Sequence, residues 1–233
     1  MWRKIVARKK QSNKIDESKT RILIVDDHPI VRQGLTELIN QEDDLVVCEQ
    51  AEDAAVAMGI IKKLKPDMAI VDISLKETSG MELIKDIKVQ YPNLVILALS
   101  MHDESLYAER ALRAGAKGYV MKAEATEKVV TAIRKILSGQ IYVSDRMAAK
   151  MVRKLVGGSP DTGVSAIERL SDRELEVFHL IGQGHGTRQI AERLHLSIKT
   201  IETYREHIKE KLNLADANEL LQYAIQWTHS QDK

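Results

Sequence analysis

The sequence predicts an α/β protein in which a five-stranded, doubly wound parallel sheet precedes a small all-α domain. Three observations support this prediction. Short apolar runs recur about every 20–25 residues in the first part of the chain, helical stretches separate them, and a Gly/Ser/Pro stretch at 157–165 precedes a helical tail. We therefore expect a disordered basic extension at 1–19, an α/β domain at 20–140, a linker with one helix at 141–164 and a helical domain at 165–233.

The five apolar runs are too short for stable helices and are rich in Val and Ile. This pattern is typical of strands that are buried on both faces of a parallel sheet. The runs begin at Arg21, Leu45, Met68, Leu94 and Lys117. Between them, apolar residues recur at helical spacing, as Val129, Ile133 and Ile136 do. The alternation of strands and helices predicts a parallel sheet that is covered by helices.

The helical tail contains four predicted helices, and two of them have a recognisable start signal. Ser171 is followed three residues later by Glu174, which predicts a capping box at the start of the first of them. Ser197 precedes the longest helical stretch and is the expected N-cap of the third helix. A fourth helix is predicted at about 216–228.

Composition excludes several classes of protein. The 233 residues carry 35 Lys+Arg and 34 Asp+Glu, and 44% are hydrophobic, so the chain as a whole is not disordered. A single cysteine, Cys48, excludes a disulfide scaffold. No apolar run reaches the roughly 18 residues of a membrane helix, and MWRKIVARKK lacks the apolar core of a secretion signal. We therefore expect a cytoplasmic protein with no membrane partner.

Polar side chains follow four of the five predicted strands, where ligands of an open parallel sheet bind. These residues are Asp26, Asp27, Asp72, Ser100 and Lys122. Clustered carboxylates need a compensating cation, and Mg²⁺ suits a site with few carboxylates. A lysine and a hydroxyl can bind phosphate oxygens. The set predicts a phosphoryl acceptor, with Asp72 as its centre because the third strand should lie in the middle of the sheet.

Each of these residues also has an ordinary structural explanation. An aspartate at a strand end is usually a helix cap or a loop residue. We expect His28, which follows the acidic pair, to be a first-turn residue without a catalytic role, because Pro29 predicts a helix start. A Mg²⁺-dependent phosphohydrolase with an aspartate nucleophile is an alternative function. Such enzymes usually have a second aspartate two residues after the nucleophile, where this chain has Ser74.

Four segments within about residues 20–140 resemble the receiver domain of bacterial two-component response regulators: ILIVDDHPIVRQGL, PDMAIVDISL, ILALSMHDE and AGAKGYVMKAE. The resemblance implies a flavodoxin/CheY-like fold and phosphorylation of Asp72 by a cognate histidine kinase. It implies that Mg²⁺ is held by Asp26, Asp27, Asp72 and the main-chain carbonyl of Ser74. It also implies that Lys122 binds the phosphoryl group, that the Ser100 hydroxyl moves toward this group, and that the Tyr119 ring then turns inward.

Residues 187–212 form a helix-turn-helix pattern, in which the second helix enters the major groove of DNA. Its polar side carries Lys199, Glu202, Thr203, Arg205, Glu206 and Lys209. Such side chains contact phosphates and base edges, but a solvated helix with ion pairs would carry them too. Nine Lys/Arg against eleven acids in 165–233 do not favour DNA on charge alone.

The segments LSDRELEVFHLIGQG and IAERLHLSIKTIETYREHIKEKL resemble the LuxR/NarL-type DNA-binding domain over about residues 165–230. The resemblance implies that one set of side chains faces double-stranded DNA and that the last helix pairs two copies of the chain. This set is Lys199, Glu202, Thr203, Arg205 and Lys209.

Together the two parts of the chain predict a phosphorylation-controlled transcription regulator rather than an enzyme. A phosphoryl group adds charge and acceptor oxygens, which can shift the chain between two states. We expect a homodimer when the protein is phosphorylated or bound to DNA. An alternative is a DNA-binding protein whose first domain only dimerises, and equal DNA affinity with and without a phosphodonor would support that alternative.

Overall fold

A computed structural model describes residues 19–75, 79–102, 104–156 and 166–231. The extension predicted at 1–19 lies outside the described residues except for Lys19, and the Gly/Ser/Pro stretch at 157–165 lies wholly outside them. Within the described part of the chain, no helix is both long and apolar enough to cross a bilayer.

The N-terminal part of the structure is a single parallel sheet. Its strands are β1 (Thr20–Val25), β2 (Leu45–Ala51), β3 (Met68–Asp72), β4 (Val95–Ser100) and β5 (Gly118–Met121). They are arranged in the order β2-β1-β3-β4-β5, and every neighbouring pair is parallel. The strand that ends in Asp72 is therefore the central one, and its predicted position is confirmed.

Helices cover both faces of the sheet. They are α1 (Pro29–Asn40), α2 (Ala54–Leu64), α3 (Gly80–Gln90), α4 (Glu104–Ala114) and α5 (Ala125–Leu137). Because side chains alternate along a strand, Ile22 and Ile24 of β1 belong to the core that α1 and α5 cover, whereas Leu23 and Val25 belong to the core that α2, α3 and α4 cover. The sheet is doubly wound, as the sequence predicts.

The prediction that all five strands are buried on both faces was wrong for β2. Glu49 is exposed and Cys48 is half-buried in this strand. β2 lies at an edge of the sheet, so neighbouring elements cover it incompletely. β5 lies at the opposite edge but is covered, since the Tyr119 N–H donates to the Tyr142 carbonyl at 2.9 Å and Tyr142 donates to the Lys117 carbonyl at 3.0 Å.

The C-terminal part of the structure is helical, as predicted. After α6 (Asp145–Leu155) and a 3₁₀ turn (Ala166–Arg169) come α7 (Asp172–Gly182), α8 (Thr187–Leu194), α9 (Ile198–Leu212) and α10 (Ala217–Gln231). The capping box is present, because Ser171 Oγ accepts from Glu174 N at 3.3 Å and a Glu174 carboxylate oxygen accepts from Ser171 N at 2.7 Å. Ser197 caps α9 by accepting from Thr200 N at 3.0 Å.

The two domains contact each other through α3 and α4 on one side and the start of α7 on the other. The Arg110 guanidinium of α4 donates to the main-chain oxygens of Leu170 at 2.8 Å and Ile167 at 3.2 Å. It also forms an ion pair with the Asp172 carboxylate at 3.1 Å. The Lys85 ammonium of α3 lies 3.0 Å from the other oxygen of the same carboxylate. Polar contacts of both helices therefore hold the helical domain against the sheet domain.

Candidate functional site

The carboxyl ends of β1 and β3 place three aspartates at one edge of the sheet. Asp26, Asp27 and Asp72 are all buried, and Asp72 has no exposed surface. Burial raises the pKa of the Asp72 carboxyl, and the Lys122 ammonium partly offsets that increase. The aspartates expected from the sequence are thus brought together in one pocket.

Lys122 is the cation of this pocket. It follows β5 directly, and its Nζ atom lies 2.7 Å from Oδ2 of Asp72 and 2.7 Å from Oδ2 of Asp26. Burial disfavours the charged ammonium, but the two carboxylates outweigh burial and raise the pKa of Lys122. The lysine is therefore held in its charged form against Asp72.

The donor atoms of the pocket suit a hard divalent cation. Asp26, Asp27, Asp72 and His28 each offer one ligand atom, and these atoms all lie within 4.8 Å of one another. Three carboxylates face a single ammonium, so the pocket keeps an excess of negative charge. Oxygen ligands and net negative charge are what Mg²⁺ requires of a protein site.

His28 contributes more to this pocket than the sequence indicated. Its Nδ1 atom lies 2.8 Å from an Asp27 carboxylate oxygen and 3.2 Å from one of Asp26. The residue is the N-cap of α1, one position before the first turn in which the sequence placed it. Adjacency to the acidic pair was the one signal of this contact. Sequence reasoning assigned His28 only to the helix start because Pro29 follows it.

Ser74 lies next to the central aspartate. Its main-chain N–H donates to Asp72 Oδ1 at 3.1 Å, which fixes the orientation of the carboxylate. That the main-chain carbonyl of Ser74 binds a metal ion stays a prediction. Gly80 also lies close to this point, because a Cβ atom at its position would lie 1.9 Å from the Asp72 carbonyl oxygen. The sequence did not reveal this requirement for glycine.

Ser100 and Tyr119 both contact the main chain of His102. Ser100 ends β4, next to β3, and its hydroxyl oxygen accepts from His102 N at 2.9 Å. The Tyr119 ring is buried, and its hydroxyl donates to the His102 carbonyl at 2.9 Å. The Tyr119 ring therefore lies inside the receiver domain, and its movement on phosphorylation stays a prediction.

The helix-turn-helix pattern is present in α8 and α9. His195 ends α8 in the left-handed region at φ 52°, which produces the turn before α9. Ile201, Ile208 and Leu212 of α9 are buried against the domain, as predicted. The opposite side of α9 consequently faces outward.

The side chains predicted to face DNA differ in their exposure. Lys199, Glu202 and Thr203 are exposed, whereas Arg205 and Lys209 are half-buried. Partial burial lowers the pKa of the Arg205 guanidinium, which remains charged at neutral pH. The Lys209 ammonium lies 2.9 Å from a Glu206 carboxylate oxygen, so part of its charge is already neutralised.

The fold and the buried acidic pocket define a receiver-type phosphoryl-acceptor domain that is joined to a helix-turn-helix domain. Residues 22–134 match the family model of the response regulator receiver domain, and residues 168–224 match that of the bacterial regulatory proteins of the luxR family. The chain is 36% identical over 209 residues to the oxygen regulatory protein NreC of Staphylococcus carnosus, which covers 88% of this chain and 96% of that protein. It belongs to the LuxR/NarL-type two-component response regulators.

Solved structures agree with this family. The RcsB response regulator of Salmonella typhimurium superposes with a TM-score of 0.62 at 27% identity, over 90% of this chain and 98% of that one. A complex of RcsB with DNA superposes with a TM-score of 0.60 at 27% identity, over 88% of this chain and 98% of the RcsB chain. A LuxR-family response regulator from Aurantimonas has a TM-score of 0.55 at 35% identity, over 60% of this chain and 99% of that chain.

The predicted fold class and class of function are thereby confirmed. The chain has a CheY-like receiver domain followed by a helical LuxR-type domain, and it is a phosphorylation-controlled transcription regulator. Its family consists of transcription regulators rather than classical enzymes. Receiver domains generally bind Mg²⁺ at an acidic pocket, which Asp26, Asp27 and Asp72 form here.

Proposed function

We propose that Asp72 accepts a phosphoryl group from a cognate histidine kinase in the cytoplasm and that this modification changes dimerisation and promoter binding by the domain at 165–233. The observation that carries the proposal is the contact of Lys122 Nζ with Oδ2 of Asp72 at 2.7 Å, inside a pocket of three buried carboxylates. This is the charge arrangement that an incoming phosphoryl group needs on an aspartate acceptor.

The transfer is a displacement at phosphorus. A carboxylate oxygen of Asp72 forms the new P–O bond, and the P–N bond of a kinase phosphohistidine breaks, so that the histidine leaves as the neutral imidazole after protonation. Asp26, Asp27, Asp72 and the Ser74 carbonyl would hold Mg²⁺, which would neutralise charge on the transferred group. The Lys122 ammonium moves from the carboxylate to the new phosphoryl oxygens, and the Ser100 hydroxyl can donate to the same oxygens.

The helical domain supplies the DNA contacts in this proposal. Lys199, Arg205 and Lys209 suit phosphates or guanine edges, Glu202 can accept from cytosine, and Thr203 can contact a thymine methyl group. A homodimer would read two half-sites that are related by a two-fold axis. The complex of RcsB with DNA, which shares the two-domain arrangement over 88% of this chain, supports this part of the proposal.

The experiment is labelling of the full chain by acetyl phosphate with Mg²⁺, read by intact mass and by DNA binding at a stated salt concentration. We expect the wild type to gain one phosphoryl group and to change its DNA affinity. Asp72→Asn should lose the label. The matched control is Asp67→Asn, which replaces an exposed aspartate that precedes the same strand; this variant should label as the wild type does.

Three outcomes would contradict the proposal. Unchanged labelling of Asp72→Asn would indicate another acceptor. Equal DNA affinity with and without the phosphodonor would favour a receiver domain that only dimerises. Continuous turnover of phosphate esters would favour a phosphohydrolase, against which Ser74 now stands, since it occupies the position of the second catalytic aspartate in such enzymes.

A further inference from the structure

His102 connects Ser100 and Tyr119 to each other through its main chain. Its N–H donates to Ser100 Oγ at 2.9 Å, and its carbonyl accepts from the Tyr119 hydroxyl at 2.9 Å. A displacement of either side chain therefore acts directly on the peptide groups of His102. Phosphoryl oxygens on Asp72 would offer the Ser100 hydroxyl a charged acceptor, which is a stronger partner than a neutral one.

The ring of the same residue lies against the DNA-binding domain. His102 Nε2 lies 3.9 Å from an oxygen of Glu176 on α7, and the ring meets His179 of α7 edge to face at a centroid distance of 5.7 Å. On its other side, the ring stacks on Tyr107 of α4 at 4.6 Å. One residue thus contacts Ser100 and Tyr119 with its main chain and the helical domain with its side chain.

Glu176 is a buried carboxylate that depends on this interface. Burial would raise its pKa, but His102 and Arg173 outweigh burial and lower the pKa of Glu176. Arg173 lies 2.8 Å from a Glu176 oxygen and extends toward the Leu75 carbonyl of the receiver domain at 3.4 Å. A buried carboxylate that loses one of its polar partners is destabilised, so the position of His102 affects how the helical domain docks.

We propose that His102 is a positioning residue that couples the Asp72 site to the docking of the DNA-binding domain. When the Ser100 hydroxyl moves toward a phosphoryl group on Asp72, it weakens its bond to the His102 N–H, the loop after β4 shifts, and the imidazole withdraws from Glu176. The docked arrangement is then destabilised relative to the undocked one, and the helical domain is released. The inference rests on the proposed function of Asp72 and names the contact through which that function is regulated.

The docked arrangement leaves the outer side of α9 uncovered, since Lys199, Glu202 and Thr203 are exposed in it. Docking therefore does not act by covering these three residues. Instead, α7 connects His102 to α10. The His179 ring of α7 meets the Trp227 ring of α10 edge to face at a centroid distance of 6.3 Å, and the Phe178 ring meets it at 5.3 Å. Release of α7 from the receiver domain changes the freedom of α10 and hence the orientation in which two DNA-binding domains can pair.

The test is a double-mutant cycle on full-length protein that contains His102→Ala, Glu176→Gln and both together. For each variant, labelling of Asp72 by acetyl phosphate and DNA affinity with and without label are measured. We expect normal labelling, but a ratio of labelled to unlabelled DNA affinity that is reduced about fivefold in each single variant. The double variant should be reduced no further, because the two changes break one contact.

The matched control is Lys85→Ala, which removes an exposed ion pair with Asp172 from the same interface without touching His102. It should keep the wild-type ratio. The NMR signal of the His102 ring, recorded on protein labelled with ¹⁵N-histidine, distinguishes a positioning role from a merely structural one. Beryllofluoride with Mg²⁺ should shift this signal in the wild type and leave it largely unmoved in Glu176→Gln.

The outcomes separate the function of Asp72 from the role of His102. Absence of label at Asp72 in the wild type would overturn the proposed function and this inference with it. Normal labelling together with a wild-type affinity ratio in His102→Ala would overturn the role of His102 alone. An equal loss of the ratio in Lys85→Ala would also overturn it, because any weakening of the interface would then suffice.

Discussion

The ammonium of Lys122 and the carboxylate of Asp72 form a buried ion pair in which Nζ and Oδ2 are 2.7 Å apart. Lys122 comes from the end of β5, whereas Asp72 ends the central strand, two positions away in the sheet. The pair joins these strands across β4 and holds a positive charge where phosphoryl oxygens would arrive. Since Lys122 also pairs with Asp26, it remains neutralised when either aspartate is modified.

We expect Asp72→Asn to stabilise the metal-free protein at neutral pH. Burial raises the pKa of Asp72 in the folded chain above its ordinary value of 3.8. Between the unfolded pKa of 3.8 and the higher folded pKa, the folded state binds more protons than the unfolded state. The free energy of unfolding therefore falls as pH rises through this interval, and it stays lowered at higher pH. Asparagine removes the charge, and Lys122 retains Asp26.

The free energy of unfolding should increase by about 1 kcal/mol, which corresponds to about 2–4 °C in the thermal midpoint for a chain of this size. Differential scanning calorimetry at pH 7.5 and at pH 4 measures it, and the advantage of the variant should shrink at the lower pH. Added Mg²⁺ should raise the midpoint of the wild type more than that of the variant. A variant that melts below the wild type at pH 7.5 without metal would show that the ion pair, rather than burial, dominates.

Gly80→Ala should damage the acceptor site. A Cβ at this position would lie 1.9 Å from the Asp72 carbonyl oxygen and 2.6 Å from Ile73 Cα, so the main chain must move. Overpacking of this kind costs about 1–3 kcal/mol. We expect slower labelling by acetyl phosphate and a lower midpoint of unfolding.

The matched control for this change is Gly59→Ala in α2, where nothing lies within 4 Å of the added Cβ. Alanine in an exposed helical position should stabilise the protein by about 0.5–1 kcal/mol and leave labelling unchanged. If Gly80→Ala also labels at the wild-type rate, the carbonyl of Asp72 can move without consequence for the pocket.

The sequence predicted the strands well because buried parallel strands leave an uninterrupted apolar run. β3 starts at Met68 as predicted, and β4 starts at Val95, one residue after the start of its run at Leu94. The exposure of β2 could not be predicted in the same way. It depends on the order of strands in the sheet, which places Glu49 at an edge and which an apolar pattern does not encode.

The same distinction applies to the site. Asp72 and Lys122 were predictable because strand ends meet at one edge of a parallel sheet. The contacts of His102 were not, since nothing in its sequence neighbourhood indicates that its ring meets α7, about 75 residues away in the chain. A side chain whose role depends on domain docking carries no local periodicity that would mark it.

Arg110→Ala should loosen the contact between the domains without unfolding either of them. The Arg110 guanidinium binds two main-chain oxygens and the Asp172 carboxylate of the helical domain. We expect the radius of gyration from small-angle X-ray scattering to increase while the helical content measured by circular dichroism stays unchanged. Arg113→Ala is the control, because Arg113 pairs with Glu109 of its own helix. An unchanged radius for Arg110→Ala would show that other contacts suffice to hold the domains together.

Substitutions on α9 should separate affinity from specificity for DNA. Lys199 is exposed and suits a phosphate contact, so Lys199→Ala should weaken binding to all sequences and reduce the slope of log K against log salt by about 1. Glu202→Ala should instead relax the preference at one base pair, with a change of about 1–3 kcal/mol for that base. Binding-site selection at two salt concentrations measures both effects, with Lys62→Ala on the exposed surface of α2 as the control for charge alone. Equal salt slopes for Lys199→Ala and Lys62→Ala would place Lys199 outside the DNA interface, and an unaltered base preference in Glu202→Ala would remove Glu202 from it.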